Sequence, residues 1–401
     1  MESLIKYSKI FLISMTVLSV VALAGWYIFL QSKIRGIQND HTGSALGGDV
    51  SFGPTQRTKE LVSSSSGAQS VRDVSPHVVA SSTLPRAWHI AAEPVAGDGF
   101  VAMGTSSTRV RFVERATGNV FDAFLDTNTV VRVTNTLVPS VYDAIISSDG
   151  RVIERNADGA SMGTVQITSA EIAPLIVKPL AKTVQSVAFS ASGKEIVALL
   201  PSQGKLVGVR SGVDGSKPMQ IFSSNIVGWN VRWLADGRII VAQNPADGVA
   251  GYAYEVQKNN VLVPLARGNG LAVLPRASST SMVYSTFDEQ PTLFVRVNGT
   301  TTPVSLKTIA DKCVWSPTDQ FVVFCAAPPI MNHGFLDMWY RGEVHLADQW
   351  WKIDVRTGVV ETLFVPDTPV DVQDPSIDVR GKYLIFKNAI DQSLWSLRID
   401  A

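Results

Sequence analysis

The stretch that decides the fold is KCVWSPTDQFVVFCA, residues 312–326. It predicts an apolar strand, a tight turn and a second apolar strand, because Ser316, Pro317 and Asp319 belong to the residue types that favour turns. The same unit recurs at intervals of about 40 to 60 residues, a spacing typical of propeller blades. The clearest further copies have their turns at residues 148–150 (SDG), 191–193 (ASG), 235–237 (ADG) and 380–381 (RG), and weaker copies lie at 97–114 and 271–287.

A second pair of strands follows each unit. Asn298-Gly299 separates two such strands, and an Asn-Gly step is the strongest short hairpin signal because both central residues of a type I′ turn need positive φ. Each unit is therefore predicted to be a four-stranded antiparallel meander, and about seven units fit along the chain. The last unit lacks a fourth strand, which residues 87–93 can supply. We predict an all-β, seven-bladed β-propeller over residues 86–401, with six or eight blades as the alternatives.

Two of the strand-turn-strand units resemble the blade motif of WD40-like, TolB-like propeller repeats. They are residues 187–197, VAFSASGKEIV, and residues 313–324, CVWSPTDQFVVF. The whole layout of helix, linker and propeller is also similar to membrane-anchored bacterial propeller proteins of unassigned activity. The resemblance implies the fold and a binding role, but the propeller fold also supports hydrolases, lyases and scaffolds.

The charge composition excludes one class of partner. The chain has 35 Lys and Arg residues against 35 Asp and Glu residues, so its formal net charge is zero. No basic block appears in the sequence, and binding to nucleic acid through bulk charge therefore is not expected. Two cysteines are too few for a disulfide-framework protein or a four-cysteine zinc site.

The N-terminal part predicts a membrane anchor. Residues 11–30 contain no charged residue, and about 20 apolar residues are what a helix needs to cross a bilayer. We expect a short cytoplasmic tail at residues 1–10, a transmembrane helix at 11–30, a Ser/Gly-rich linker at 31–85 and the propeller on the extracytoplasmic side. The alternative is a cleavable signal peptide, because Ala22-Leu23-Ala24 fits a small-residue cleavage site.

The two cysteines indicate a cross-strand pair. Cys313 and Cys325 lie at nearly equal distances from the centre of the turn between two predicted strands. They should therefore face each other across the hairpin or miss by one residue. We expect a disulfide in an exported domain, and the alternative is two small buried side chains.

An insertion at residues 326–349 interrupts the sixth unit between its second and third strands. Aromatic rings beside charged groups are typical of recognition surfaces, so we predict a binding patch here. Its candidate residues are Phe335, Asp337, Trp339, Tyr340, Arg341, Glu343, His345, Trp350 and Trp351. In the alternative interpretation, Phe335, Met338, Trp339 and Trp350 fold down and plug one mouth of the channel. A metal site that uses His333, His345 and a carboxylate is a third possibility, although no spacing motif supports it.

No catalytic, metal-binding or cofactor-binding motif is present in the sequence. We therefore predict no catalytic residues, no metal and no cofactor. The favoured hypothesis is a membrane-tethered binding or scaffold module whose partner is a protein, a peptide or an envelope glycan. The alternative is a glycan hydrolase or lyase at the channel mouth, with Asp337, Glu343 or His345 as acid–base groups.

Overall fold

The structure is a computed structural model that describes residues 84–102, 107–135, 137–158, 161–169, 176–179, 183–331 and 333–400. The predicted tail, transmembrane helix and nearly all of the linker lie outside these ranges. Within them, no helix has the length and apolar character that crossing a membrane requires.

The described residues form seven four-stranded antiparallel sheets, here numbered I to VII. The first strand of the fold is β1 (Ala87–Ala91). Sheets I and II contain β2 (Val95–Val101), β3 (Arg109–Glu114), β4 (Val120–Phe124), β5 (Thr129–Arg132), and β6 (Val141–Ile146), β7 (Arg151–Asp158), β8 (Ser161–Ser169), β9 (Ile176–Pro179). Sheets III and IV contain β10 (Ser186–Phe189), β11 (Glu195–Ser202), β12 (Lys205–Gly212), β13 (Met219–Ser224), and β14 (Trp229–Trp233), β15 (Ile239–Gln243), β16 (Ala250–Val256), β17 (Leu262–Asn269).

The remaining sheets follow the same order along the chain. Sheets V and VI contain β18 (Ala272–Pro275), β19 (Met282–Asp288), β20 (Gln290–Val297), β21 (Thr300–Val304), and β22 (Cys313–Trp315), β23 (Val322–Ala327), β24 (Gln349–Asp354), β25 (Val359–Phe364). Sheet VII contains β26 (Val372–Ile377), β27 (Tyr383–Asn388), β28 (Leu394–Arg398) and β1. A 3₁₀ turn (Ala310–Lys312) precedes β22, and a short helix α1 (Leu336–Tyr340) lies between β23 and β24.

Sheet VII is completed from the other end of the chain. β1 pairs antiparallel with β28, and Ala87 lies opposite Leu397. The N-terminal strand is thus the outermost strand of the last sheet, which closes the ring and covers an otherwise unpaired edge of β28.

Buried apolar clusters join every sheet to the next, and another joins sheet VII to sheet I. Neighbouring residues of a single strand enter different clusters. Val323 packs toward sheet V and Phe324 packs toward sheet VII, because successive side chains of a strand point to opposite faces. Both faces of each sheet are therefore buried against a neighbour, and the chain is an all-β β-propeller.

Arginines link the first-hairpin turns of neighbouring sheets. Arg111 of sheet I donates to the carbonyl of Gly150 in sheet II (2.5 Å), and Arg151 donates to the carbonyl of Gly193 in sheet III (2.7 Å). Arg276 of sheet V donates to the Ser316 carbonyl of sheet VI (3.0 Å) in the same way. These bonds satisfy turn carbonyls and connect the sheets at one face of the ring.

The predicted Asn-Gly hairpin has the expected backbone conformation. Asn298 and Gly299 connect β20 to β21 with φ values of 50° and 80°. Both values are positive, as a type I′ turn requires.

Candidate functional site

The insertion between β23 and β24 lies across the loops of two neighbouring sheets. The backbone N–H of Asp247, in the β15–β16 connection of sheet IV, donates to Asp337 Oδ1 at 2.7 Å. The N–H of Gly334 donates to the carbonyl of Glu289, in the β19–β20 turn of sheet V, at 2.9 Å. The insertion therefore covers the face of the ring where the second and third strands of sheets IV, V and VI are connected.

Aromatic and aliphatic side chains fix the insertion to the ring. Phe335 and Trp339 are 1% and 3% exposed, and they form a core cluster that also contains Phe287 and Ile309. The rings of Phe287 and Phe335 make an edge-to-face contact, with centroids 5.3 Å apart. Burial of these rings stabilises the position of α1.

Three members of the predicted recognition patch have buried side chains. Phe335, Trp339 and Trp350 are buried, so they offer no exposed surface to a partner. Trp350 instead packs between sheets VI and VII, where its ring lies 5.5 Å from that of Phe386. The physical reason is that burying large apolar rings against neighbouring sheets lowers the free energy of the folded chain relative to leaving the rings in water.

The other predicted patch residues are dispersed rather than convergent. Arg341 and Glu343 are exposed and pair with each other, with 2.8 Å between Nε and Oε1. Trp351 is half-buried and donates to the carbonyl of Ala327 at 3.3 Å. His345 lies 3.4 Å from the Asp371 carboxylate. Asp337 accepts the backbone bond described above, so these groups do not form one acid–base constellation.

The histidines of the insertion are likewise separate. His333 lies near Glu289 (3.9 Å) and the amide of Gln290 (3.1 Å), whereas His345 lies beside Asp371. Across the described ranges, no group of three or more His, Cys, Asp or Glu residues is arranged to hold a metal ion.

A buried ionic cluster anchors the end of the insertion. Lys312 Nζ lies 2.5 Å from both Asp348 Oδ2 and Asp371 Oδ1, and all three side chains are fully buried. Trp339 Nε1 donates to the Asp371 carboxylate at 2.9 Å, and the N–H of Val372 donates to Asp348 at 2.8 Å. Burial raises the pKa of Asp348, and the Lys312 ammonium opposes that rise. The cluster ties the insertion to sheets VI and VII.

Tyr340, at the end of α1, faces the central channel of the propeller, the space that the first strands of the sheets surround. Its hydroxyl donates to Asp311 Oδ2 at 2.8 Å, and Arg232 Nη2 lies 3.0 Å from Asp311 Oδ1. Burial raises the pKa of Tyr340, and the neighbouring Asp311 charge raises it further, so the hydroxyl keeps its proton. Tyr340, a member of the predicted patch, thus lines a cavity.

That cavity has a volume of about 620 Å³ and lies among the first strands of sheets IV to VII. It is lined by Asn230, Arg232, Asn244, Pro245, Leu274, Ala310, Asp311, Cys313, Tyr340, Asp374 and Pro375. A smaller recess of about 40 Å³ shares Asn230, Arg232, Pro245 and Asp311 with it and also touches Gln243. This volume lies within the range of pockets that hold small ligands, and the walls are more polar than is usual for such pockets. We call this space the channel-mouth cavity.

Further charges lie along the channel wall. Lys387 on β27 pairs with Asp374 on β26 at 2.7 Å, and Arg155 on β7 donates to Asp143 on β6 at 2.6 Å. The pKa of Asp98 on β2 is raised to about 7, and burial is the largest cause. The Lys387 ammonium opposes this rise, and the Asp374 carboxylate adds to it. Asp98 therefore titrates near neutral pH.

Sequence reasoning missed Asp98, Arg232, Asp311 and Asp374. A usable signal was present, since Asn230 and Arg232 alternate with Trp229 and Val231 on the first strand of a repeat. The first strand of each propeller sheet lies next to the central channel, so exposed polar side chains on that strand are candidates for its lining.

Cys313 and Cys325 lie directly opposite each other on β22 and β23 and form a disulfide. Both residues are buried, at 3% and 0% exposure, and belong to the core cluster between sheets V and VI. The bond joins the innermost strand of sheet VI to its neighbour beside the channel-mouth cavity.

Comparison with known proteins supports the fold and no more than the fold. No protein-family profile and no curated protein matches the sequence. A solved structure of an oligogalacturonate lyase in complex with manganese is similar, with a TM-score of 0.50 and 10% identity over 76% of this chain and 96% of that chain. TolB from Acinetobacter baumannii has a TM-score of 0.41 and 12% identity over 75% and 79% of the two chains. The β-propeller domain of the Trilobed protease from Pyrococcus furiosus has a TM-score of 0.48 and 10% identity over 76% and 95%.

Proposed function

We propose that this protein is a membrane-tethered binding module, a seven-bladed β-propeller on the extracytoplasmic side that binds a protein, a peptide or an envelope glycan. The observation that carries the proposal is the channel-mouth cavity. Its polar walls are built on the inner strands of four sheets and on α1, and rigid elements of this kind hold ligand-binding groups in place.

Two observations support an extracytoplasmic location. The apolar segment at residues 11–30 is long enough to anchor the chain in a bilayer. Cys313 and Cys325 form a disulfide, and disulfides are rare in the cytosol because thiols are kept reduced there.

A reporter fusion tests this location. Alkaline phosphatase fused after Ala401 is expected to be active, because that enzyme needs disulfides that form outside the cytosol. Green fluorescent protein fused at the same position and exported in the same way is expected to be dark, which provides the matched control. An inactive phosphatase together with a bright green fusion would contradict the extracytoplasmic location.

Site-directed photo-crosslinking tests the binding role. With p-benzoylphenylalanine in place of Asn230, in the wall of the channel-mouth cavity, we expect a covalent adduct in cells that express the full-length chain. The matched control carries the same crosslinker in place of Thr129, an exposed residue of the outer strand β5. Adduct formation at neither position, or equally at both, would contradict a ligand site in the cavity.

The second candidate function is a hydrolase or lyase that acts on a glycan. It is favoured by Asp98, whose pKa of about 7 suits a general acid or base, and by the ionised Asp374 carboxylate near it. Loss of glycan cleavage in both an Asp98→Asn and an Asp374→Asn variant, with cleavage retained in Glu361→Gln on the outer strand β25, would favour this candidate. Absence of cleavage by the native chain on envelope glycans would remove it.

A further inference from the structure

A set of charged groups along the channel is electrostatically connected, and its described members include more carboxylates than cations. Lys387 interacts with Asp374, Asp98 and Asp143, and Asp374 also interacts with Arg232. Arg232 and Tyr340 both contact Asp311, which extends the set to the channel mouth. Together with Arg155, the partner of Asp143, the set contains four carboxylates and three cations: Asp98, Asp143, Asp311, Asp374, Arg155, Arg232 and Lys387.

Each of the three cations is committed to one carboxylate. Arg232 pairs with Asp311, Lys387 pairs with Asp374, and Arg155 pairs with Asp143. The Lys387 ammonium also attracts the Asp98 carboxylate, but Asp98 forms no ion pair in the part of the chain that the structure describes. Among the seven described groups, one carboxylate is therefore left without an ion-pair partner when all four acids are ionised.

Two side-chain acceptors at or beside the cavity have capacity for a further hydrogen bond. The side chain of Asp374 is 72% exposed to the open space of the channel, so its carboxylate can accept from a bound molecule. Gln243 Oε1, beside the smaller recess, is buried and has no hydrogen-bond partner among the described residues. Acceptors with spare capacity favour a ligand group that only donates, and an ammonium is such a group.

Apolar side chains accompany these acceptors. Pro245, Leu274 and Pro375 line the cavity beside Asp374 and Asp311. A lysine side chain combines an apolar four-carbon stem with a terminal ammonium, so it fits apolar walls that end at carboxylates. An amino sugar carries several hydroxyls around its ring, each of which needs a hydrogen-bond partner when buried, whereas the lysine stem carries none.

We propose that the channel-mouth cavity binds a lysine side chain presented by a peptide or protein partner, with the ammonium within the field of the Asp374 and Asp98 carboxylates. The inference rests on the proposed function and names the chemistry of its ligand. The ammonium supplies the cation that the channel lacks, and the stem lies against Leu274 and the two prolines.

Saturation-transfer NMR on the full-length chain in detergent micelles tests the inference. The probe is Nα-acetyl-L-lysine N-methylamide, whose ε-methylene protons are expected to show the strongest transfer. Its Nε-acetylated analogue keeps the stem but lacks the charge, and we expect its affinity to be lower by about tenfold or more. Glucosamine, an amino sugar, is the third compound tested. Transfer to glucosamine that equals or exceeds that of the lysine probe would overturn the assignment to a lysine.

Two variants separate an electrostatic role from a merely structural one. Asp98→Asn removes the uncompensated charge and is expected to weaken binding of the lysine probe by about tenfold at pH 8. Lys387→Met removes the cation that competes for Asp374 and is expected to strengthen binding. A mutation that merely loosened the channel would not improve affinity, so weaker binding by Lys387→Met would overturn the proposal. Glu361→Gln, on the exposed outer strand β25, is the control and should bind like the native chain.

The pH dependence follows from the same carboxyl group. Below the pKa of Asp98, about 7, the carboxyl is protonated and its attraction for a cation is lost. A lysine ammonium stays charged, since its ordinary pKa is about 10.4. Affinity for the probe is therefore expected to fall from pH 8 to pH 6 in the native chain and to stay level in Asp98→Asn. Equal pH profiles for the two proteins would overturn the role of Asp98.

Failure of this inference differs from failure of the proposed function. An adduct at position 230 without any preference for the lysine probe over its Nε-acetylated analogue would retain the binding module and reject the cationic ligand. Absence of the adduct, together with absence of any preference for the lysine probe, would reject the binding module as well.

Discussion

Replacing Lys312 with methionine (Lys312→Met) is expected to lower the free energy of unfolding by about 3 to 5 kcal/mol. The ammonium is the shared partner of Asp348 and Asp371, and all three side chains are fully buried. Methionine fills similar space but leaves two carboxylates close together in a dry environment without a counterion. Urea denaturation of the full-length chain, followed by tryptophan fluorescence, measures the change.

A surface ion pair provides the control for this experiment. Arg341 and Glu343 pair at 2.8 Å, and both side chains are more than half exposed. Arg341→Met is therefore expected to leave the urea midpoint unchanged, because water and salt screen such a pair. Adding Asp371→Asn to Lys312→Met is expected to restore part of the lost stability, since one uncompensated charge is removed. Native stability of Lys312→Met would contradict the role of the buried cluster.

The second large effect is expected from the disulfide. The double variant Cys313→Ala/Cys325→Ala should unfold with a free energy lower by about 3 kcal/mol, since the bond closes a loop that spans a sequence separation of 12 residues. Closing the loop restricts the unfolded chain and so favours the folded state. Urea denaturation with and without dithiothreitol measures the difference.

Reduction separates the bond from the packing of the two side chains. Dithiothreitol is expected to lower the stability of the native chain toward that of the double variant and to leave the double variant unaffected. Because the reduced native chain keeps both sulfur atoms in the core, any remaining difference measures the packing contribution of Cys313 and Cys325. Equal stability of the oxidised native chain and the double variant would contradict the predicted contribution.

The repeat pattern predicted most of the fold, because each sheet is specified by apolar runs and turn residues that lie close together in the sequence. Residues 313–315 and 322–327 are almost continuously apolar, which suits strands whose two faces are both buried. Turn residues mark the hairpins, as the positive φ values of Asn298 and Gly299 show. The pairing of β1 with β28 was accessible for a related reason: the last unit was one strand short and one strand was left over.

The orientation of the aromatic rings in the insertion could not be predicted from the sequence in this way. Phe335, Trp339 and Tyr340 belong to the same residue class in the sequence, yet the first two are buried and the third reaches the channel wall. Which ring turns inward depends on contacts with Phe287, Ile309 and Asp371, residues that come from other parts of the ring. A sequence pattern of spacing and residue type does not contain those contacts.

The amino-acid sequence by itself determined the propeller class, the closing strand, the pairing of the cysteines and the position of the insertion, since each depends on periodicity, turn chemistry or spacing along one stretch of chain. Only the tertiary structure decided which polar residues meet. Asp98, Arg232, Asp374 and Lys387 come from three different sheets (I, IV and VII), and Asp311 comes from the 3₁₀ turn before β22. No sequence motif singles out any of them. Their electrostatic coupling falls off with distance through space, so it exists only once the ring has closed around the channel.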